Sequence, residues 1–167
     1  MGPMDEHASD RVRGPQVQRA VPTDFAGAAE VIVRSRAASV PAIPLSVHPP
    51  DDMRTHFATN VFGQSDTWVA VDGARVTAVM VLVPGWIDHL YVDPDWTDSG
   101  IGSRLVEVAK AEQDELTLWT FQSNTGARRF YERHGFVAVE ATDGDNEEGA
   151  PDVRYLWPPP DVEQTDT

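Results

Sequence analysis

A chain of 167 residues, 41% hydrophobic and 24% charged, is long enough for one domain with a real core and has an ordinary globular composition. Its formal net charge of −14, from 13 basic and 27 acidic residues, argues against a nucleic-acid-binding surface, which needs a positive field. No apolar run approaches the ~20 residues of a membrane span, and the lack of cysteine removes disulfides and thiolate chemistry.

The first stretch, "MGPMDEHASDRVRGP", is polar and lacks the apolar segment of a secretory signal. It reads as a disordered leader over 1–15, with a cytoplasmic location as the default. A short strand is expected from Val17 to Val21, then Thr23-Asp24 as a helix N-cap. The first helix runs from Asp24 to Ala38, with Phe25, Ala28, Ala29, Ile32 and Val33 at helical spacing. Pro41, Pro44, Pro49 and Pro50 forbid a regular helix in the next segment, and a second helix follows from about Asp51 to Val61. The period then drops to two. "TWVAV" and "RVTAVMVLVP" flank Asp72-Gly73, a hairpin signal, and after Pro84-Gly85 "WIDHLYV" gives a fourth strand. A third helix spans about Gly100 to Gln113. "LTLWTF" is a strand, "TGARRFYERHG" a helix closed by Gly135, and "FVAVEA" and "VRYLW" are strands on either side of an acidic loop. A polar, Pro-rich tail over 158–167 is expected to be disordered. The order β α α β β β α β α β β is that of a mixed α/β domain over 16–157, a central mixed sheet with flanking helices.

Two glycines stand where the third helix begins, in "YVDPDWTDSGIGSRLVEVAK". Glycine in a helix costs up to ~1 kcal/mol relative to alanine, so Gly100 and Gly102 need a reason. A strand, a glycine turn and a helix N-terminus leave unpaired N–H groups with a positive dipole end, and together they suit an anion. Close packing of helix on strand would give the same letters. The pattern lacks the third glycine of a dinucleotide fold and the lysine of a P-loop.

This segment, followed by "LTLWTFQSNTGARRFYERHGF", resembles motifs A and B of the GNAT-superfamily N-acetyltransferases, in the right order and separation. The resemblance extends from about Gln16 to Trp157. Thr97 departs from it, standing where the family prefers Gln or Arg. The resemblance implies the GNAT fold, with a gap splayed between the fourth and fifth strands, and acetyl-CoA as co-substrate for a direct transfer. It implies backbone contacts to the acetyl group and pantetheine from Leu90, Tyr91 and Val92. The diphosphate would lie along Thr97, Asp98, Ser99, Gly100, Ile101, Gly102, Ser103 and Arg104, with Asn124 and Arg128 at the CoA arm.

The acceptor it implies is a primary amine of a small molecule. Two alternatives stand beside this: a peptide N-terminus or protein lysine as acceptor, or a catalytically silent CoA-binding module. Tyr131 occupies the place of the usual general acid, on a helix start. For the base, Asp88 is the first choice and His89 the second. Strict alternation would put Trp86, Asp88, Leu90 and Val92 on one face and Ile87, His89 and Tyr91 on the other, unless a bulge shifts the phase. Trp86 is a candidate for the acceptor pocket, whereas Trp68 and Trp119 are expected in the core. Glu147, Glu148 and Asp152 of the acidic loop are candidates for attracting a cationic amine. No pair of histidines has metal-ligand spacing, so no metal is expected. Neither nucleic acid nor membrane is an expected partner, and a homodimer is the commonest assembly where one forms.

Overall fold

Seven strands form one mixed sheet in the order β1-β2-β3-β4-β5-β7-β6 in the computed structural model, which describes residues 14–160. The expected leader and tail fall almost wholly outside these residues. The strands are β1 (Gln16–Arg19), β2 (Asp66–Asp72), β3 (Arg75–Val83), β4 (Trp86–Val92), β5 (Leu116–Phe121), β6 (Val137–Thr142) and β7 (Asp152–Trp157). The helices are α1 (Phe25–Ala38), α2 (Pro50–His56), α3 (Ile101–Glu112) and α4 (Thr125–Arg133). The mixed α+β architecture is the one the pattern of periods indicates. No helix among the described residues is long and apolar enough to cross a membrane.

Two boundaries differ from expectation for physical reasons. Pro22–Asp24 forms a 3₁₀ turn ahead of α1, and the Asp24 carboxylate accepts the Val21 N–H at 2.9 Å instead of capping the helix in front of it. The second helix widens after His56 into a π-helical turn over Phe57–Val61, in which the Phe62 N–H bonds to the Phe57 carbonyl. Widening brings two residues five apart closer to one face. Phe57 and Phe62 are both buried there, with ring centroids 5.7 Å apart.

The core lies in two layers, one on each side of the sheet. One contains Ile101, Leu105, Val106 and Ala109 of α3 with Tyr131 of α4, packed on Ala78, Met80, Leu82, Ile87 and Leu118. The other contains Ala28, Ala29 and Ile32 of α1 with Met53, Phe57 and Phe62, packed on Val69, Val79 and Val81. The β2–β3 and β3–β4 pairs are antiparallel ladders, whereas β4 and β5 are parallel and share a single registered pair, Trp86 with Thr117. Beyond that pair the two strands part. Beyond Ile87 no residue of β4 is registered with β5 among the described residues, so the backbone groups on that edge lack a strand partner.

Candidate active site

The parting of β4 and β5 opens a cleft of about 500 Å³, floored by the strands and bordered by the N-terminal ends of α3 and α4. Pairing of Val81 with His89 and of Leu82 with Ile87 leaves Asp88 as the extra residue of a β-bulge. The bulge shifts the phase of β4. Ile87, Leu90 and Val92 pack on the α3/α4 side, while Tyr91 packs on the α1/α2 side. The strict alternation that grouped Trp86 and Asp88 with Leu90 and Val92 is therefore broken at Asp88. The bulge is the device that lets a carboxylate leave the ladder and enter the cleft.

Asp88 is half-exposed, with Oδ2 3.5 Å from Nε2 of His89. The His89 ring meets Phe57 edge-on at 4.9 Å and stacks near Tyr91 at 6.2 Å. Desolvation by these neighbours holds His89 below the usual histidine range; Asp88 opposes that shift, and the charge of Arg36 adds to it. His89 is thus a neutral imidazole at pH 7.

At the other wall, α4 ends in a Schellman motif. The Phe136 N–H bonds to the Tyr131 carbonyl at 3.1 Å and the Gly135 N–H to the Glu132 carbonyl at 3.1 Å, with Gly135 at φ 86°. The motif brings the Phe136 ring within 5.6 Å of the Tyr131 ring. Tyr131 therefore sits in the last turns of α4, not at its start, and lines the cleft. Its hydroxyl makes no hydrogen bond among the described residues, and burial raises its pKa well above that of a free phenol. Asn124 caps the same helix, its Oδ1 accepting the Ala127 N–H at 3.2 Å.

The glycine turn resolves into two different needs. Gly100 has φ +84°, a conformation that costs any other L-residue about 1–2 kcal/mol, and a Cβ there would meet nothing within 4 Å. Gly102 is a packing glycine, since its Cβ would lie 3.3 Å from the Phe130 ring and 3.7 Å from Val92. Asp98 also has positive φ, 62°. The first bond inside α3 runs from the Arg104 N–H to the Gly100 carbonyl at 3.2 Å. The helix start thus leaves the N–H groups of Ile101, Gly102 and Ser103 for a ligand, and they fit an anionic diphosphate. The Thr97 hydroxyl bonds to the Pro94 carbonyl at 3.2 Å and the Ser99 hydroxyl to the Trp96 carbonyl, so both close the turn itself. Ser103 Oγ is 3.0 Å from Nε2 of His134, whose pKa is lowered by desolvation and by Lys110.

Several expected site residues lie elsewhere. Arg104 is turned toward the Pro15 carbonyl, and Arg128 bonds to the Tyr155 hydroxyl at 3.1 Å and the Gln122 carbonyl at 3.4 Å. Neither lines the cleft. Trp86 is at the closed end, where β4 and β5 still pair. Asp152 is buried in the β6–β7 hairpin, bonded to the Thr142 hydroxyl and to Asn146 Nδ2 at 3.1 Å. Glu147 pairs with His48 at 3.1 Å and Glu148 with Arg36 at 3.3 Å, so the acidic loop reaches across to the α1–α2 segment.

Two cleft residues, Trp119 and Arg36, were not anticipated. Trp119, expected in the core, is 42% exposed because α1 covers β3 and β4 and leaves the outer face of β5 bare. Arg36 did carry a signal: it follows Ile32 by four residues and Val33 by three, and so falls on the apolar stripe of α1.

Residues 63–138 match the family of the acetyltransferase (GNAT) domain. Over 77 residues the chain is 32% identical to the uncharacterized N-acetyltransferase YafP of Escherichia coli K12, covering 46% of this chain and 49% of YafP. Over 84 residues it is 34% identical to the peptidyl-lysine N-acetyltransferase YjaB of Salmonella typhimurium, covering 50% of this chain and 58% of YjaB. The chain thus spans about half the length of the curated relatives it matches. Its fold is that of apo YjaB from Escherichia coli in solution, with a TM-score of 0.71 at 24% identity over 85% of this chain and 96% of that one. It is likewise that of the PaiA N-acetyltransferase of Thermoplasma acidophilum in complex with coenzyme A, with a TM-score of 0.66 at 15% identity over 86% and 98%. Both motifs, the glycine cradle and the helix bearing Tyr131, fall inside residues 63–138, the segment that matches the acetyltransferase (GNAT) domain, on this shared fold.

Proposed function

We propose that this chain transfers the acetyl group of acetyl-CoA directly to a primary amine. The observation that carries the reading is the coincidence of three features on one cleft. These are the free N–H groups at the start of α3, the unpaired edge of β4 beyond Ile87, and a phenol held without an internal partner. Acetyl-CoA supplies an activated acyl carbon and a thiolate leaving group.

Ile101, Gly102 and Ser103 hold the diphosphate through their N–H groups, with Thr97, Asp98, Ser99 and Gly100 shaping the turn. The backbone of Leu90, Tyr91 and Val92 bonds the pantetheine amides as an added strand would. Asn124, whose oxygen is committed to the helix cap, keeps its amide N–H groups for the CoA arm. The cradle and Tyr131 lie on the α3/α4 side of the sheet, and His89 lies on the α1/α2 side, where it packs with Phe57 and Tyr91. The gap between β4 and β5 joins the two sides, so the amine approaches from the side opposite the donor. An alkylamine arrives protonated, with a reference pKa of ~10.4, and must lose a proton before it can attack. The Asp88–His89 pair takes that proton, His89 as the acceptor and Asp88 as its charge partner. Tyr131, kept protonated by burial, faces the departing sulfur with its hydroxyl.

A peptidyl-lysine acceptor is the second reading, supported by the similarity to YjaB, a peptidyl-lysine N-acetyltransferase. Both readings predict tight, stoichiometric binding of CoA. Calorimetric titration of the folded protein with CoA should show one site per chain, and heat equal to dilution alone would rule both out.

A further inference from the structure

Arg36 leaves α1 on the inward stripe and is only 16% exposed, on the cleft wall that also carries His89 and Tyr91. A guanidinium withdrawn this far from water needs partners to offset its lost hydration. This one is poorly supplied. Of its five N–H donors, Nη1 reaches the Tyr91 hydroxyl at 3.4 Å and Nη2 reaches the Glu148 carboxylate at 3.3 Å. Nε is buried with no partner among the described residues. Arg54 shows what a close pair looks like in the same molecule, with Nε 2.8 Å from Glu30 and Nη1 2.8 Å from Asp51.

Glu148 is also an unusual partner. It comes from the β6–β7 loop, 112 residues further along the chain. The loop closes without it: Asn146 bonds to the Ala150 carbonyl at 2.7 Å and to Asp152 at 3.1 Å, and accepts the Ala150 N–H at 3.2 Å. One long contact made by Glu148, from a loop that closes without it and is also tied across by Glu147 to His48, is how a group sits when it fills a site shaped for something that fits better.

We propose that Arg36 is a carboxylate subsite for the acceptor, which is an amine that also bears a carboxylate, and that Glu148 fills the subsite until the acceptor displaces it. The assignment rests on the transferase reading of the cleft. Tyr91 connects the two ends of such an acceptor: its hydroxyl bonds to Arg36, and its ring lies beside His89 on the same side of the sheet. The ammonium end goes to the Asp88–His89 pair and the carboxylate end to Arg36. A free cation drawn in by Glu147, Glu148 and Asp152 is the weaker assignment, because all three carboxylates already have partners. A carboxylate is chosen over other anions because it is the group the fold itself places there.

The test is thiol release from acetyl-CoA with matched acceptors, each amino acid set against its primary amide, using wild type, Arg36→Gln and Glu148→Gln. Wild type should favour the acid member at least about tenfold in kcat/KM. Arg36→Gln should raise KM for the acid about tenfold or more while leaving the amide unchanged, the size expected for a hydrogen bond to a charged group. Glu148→Gln should lower KM for the acid by removing its competitor, whereas a structural tie would leave KM unchanged or raise it for both members. If Arg36→Gln fails to fold, the Glu148→Gln arm decides alone. Amides used as well as acids, or equal effects of Arg36→Gln on both, would overturn the subsite with the transferase intact. If no amine releases thiol although CoA binds in the calorimeter, the transferase reading falls and the subsite with it.

Discussion

Tyr131 owes its position to the residues that follow it. "RFYERHGF" ends α4 in a Schellman motif that folds Phe136 back onto the ring of Tyr131, which lines the cleft, and burial keeps the phenol protonated through the physiological range. Tyr131→Phe is expected to lower kcat about 100-fold or more with little change in CoA affinity, since only a positioned proton donor is removed. Single-turnover kinetics alongside calorimetry would check it, and unchanged turnover would reduce Tyr131 to a packing residue. The neighbouring pair makes a second forecast. His89 titrates below ~6.5 because it is desolvated, and Asp88 holds its pKa up against that effect. The acid limb of kcat/KM should therefore lie below pH ~6.5, and Asp88→Asn should move it lower still. A collapse in rate with no movement of the limb would make Asp88 itself the base.

At the scale of elements, the two glycines of α3 separate in what they do. Gly100→Ala strains the backbone at φ +84° by about 1–2 kcal/mol. In a domain of this size that lowers Tm by about 2–8 °C. Because it distorts the turn that presents the N–H groups of Ile101, Gly102 and Ser103, it should weaken CoA binding beyond what the stability loss explains. Gly102→Ala presses a methyl group against Phe130 at 3.3 Å and should act mainly on stability, the ring giving way by a few tenths of an ångström. Melting curves and titrations on both variants would show the split. Equal loss of affinity in the two would mean that both glycines serve the ligand directly. The parting of β4 and β5 belongs to this scale as well. It follows from one registered parallel pair and the Asp88 bulge, and neither feature is written in either strand alone.

For the whole molecule, histidine burial sets the dependence of stability on pH. His89 and His134 are both held below their unfolded value of ~6.5, each mainly by desolvation. Between the folded and unfolded values the unfolded chain binds more protons, so stability rises with pH through that window and is lost as pH falls through it. Tm should be lower at pH 5 than at pH 7.5, and His134→Gln should narrow the difference; a flat profile would contradict it. Glu30 and Asp95, both lowered by arginine partners, add a further acid loss only below ~4.5. Much of the fold was legible in the sequence because period-two runs, Asp72-Gly73 and Pro84-Gly85 fix the meander locally, and the motif pair fixes the cradle and Tyr131. What stayed hidden depends on partners far along the chain. The Asp88 bulge needs β3, the exposure of Trp119 needs the reach of α1, and the pairing of Glu148 needs Arg36. The same dependence hid the side-chain partners of Arg104 and Arg128, the Pro15 carbonyl and the Tyr155 hydroxyl. The central claim, acetyl transfer from CoA to an amine in this cleft, is tested most directly by following acetyl-CoA with the wild-type protein across an amine panel. Free thiol and acetylated amine are measured together. The predicted result is amine-dependent thiol release matched mole for mole by N-acetylated product; thiol release at the same rate without amine, or none at all, would contradict it.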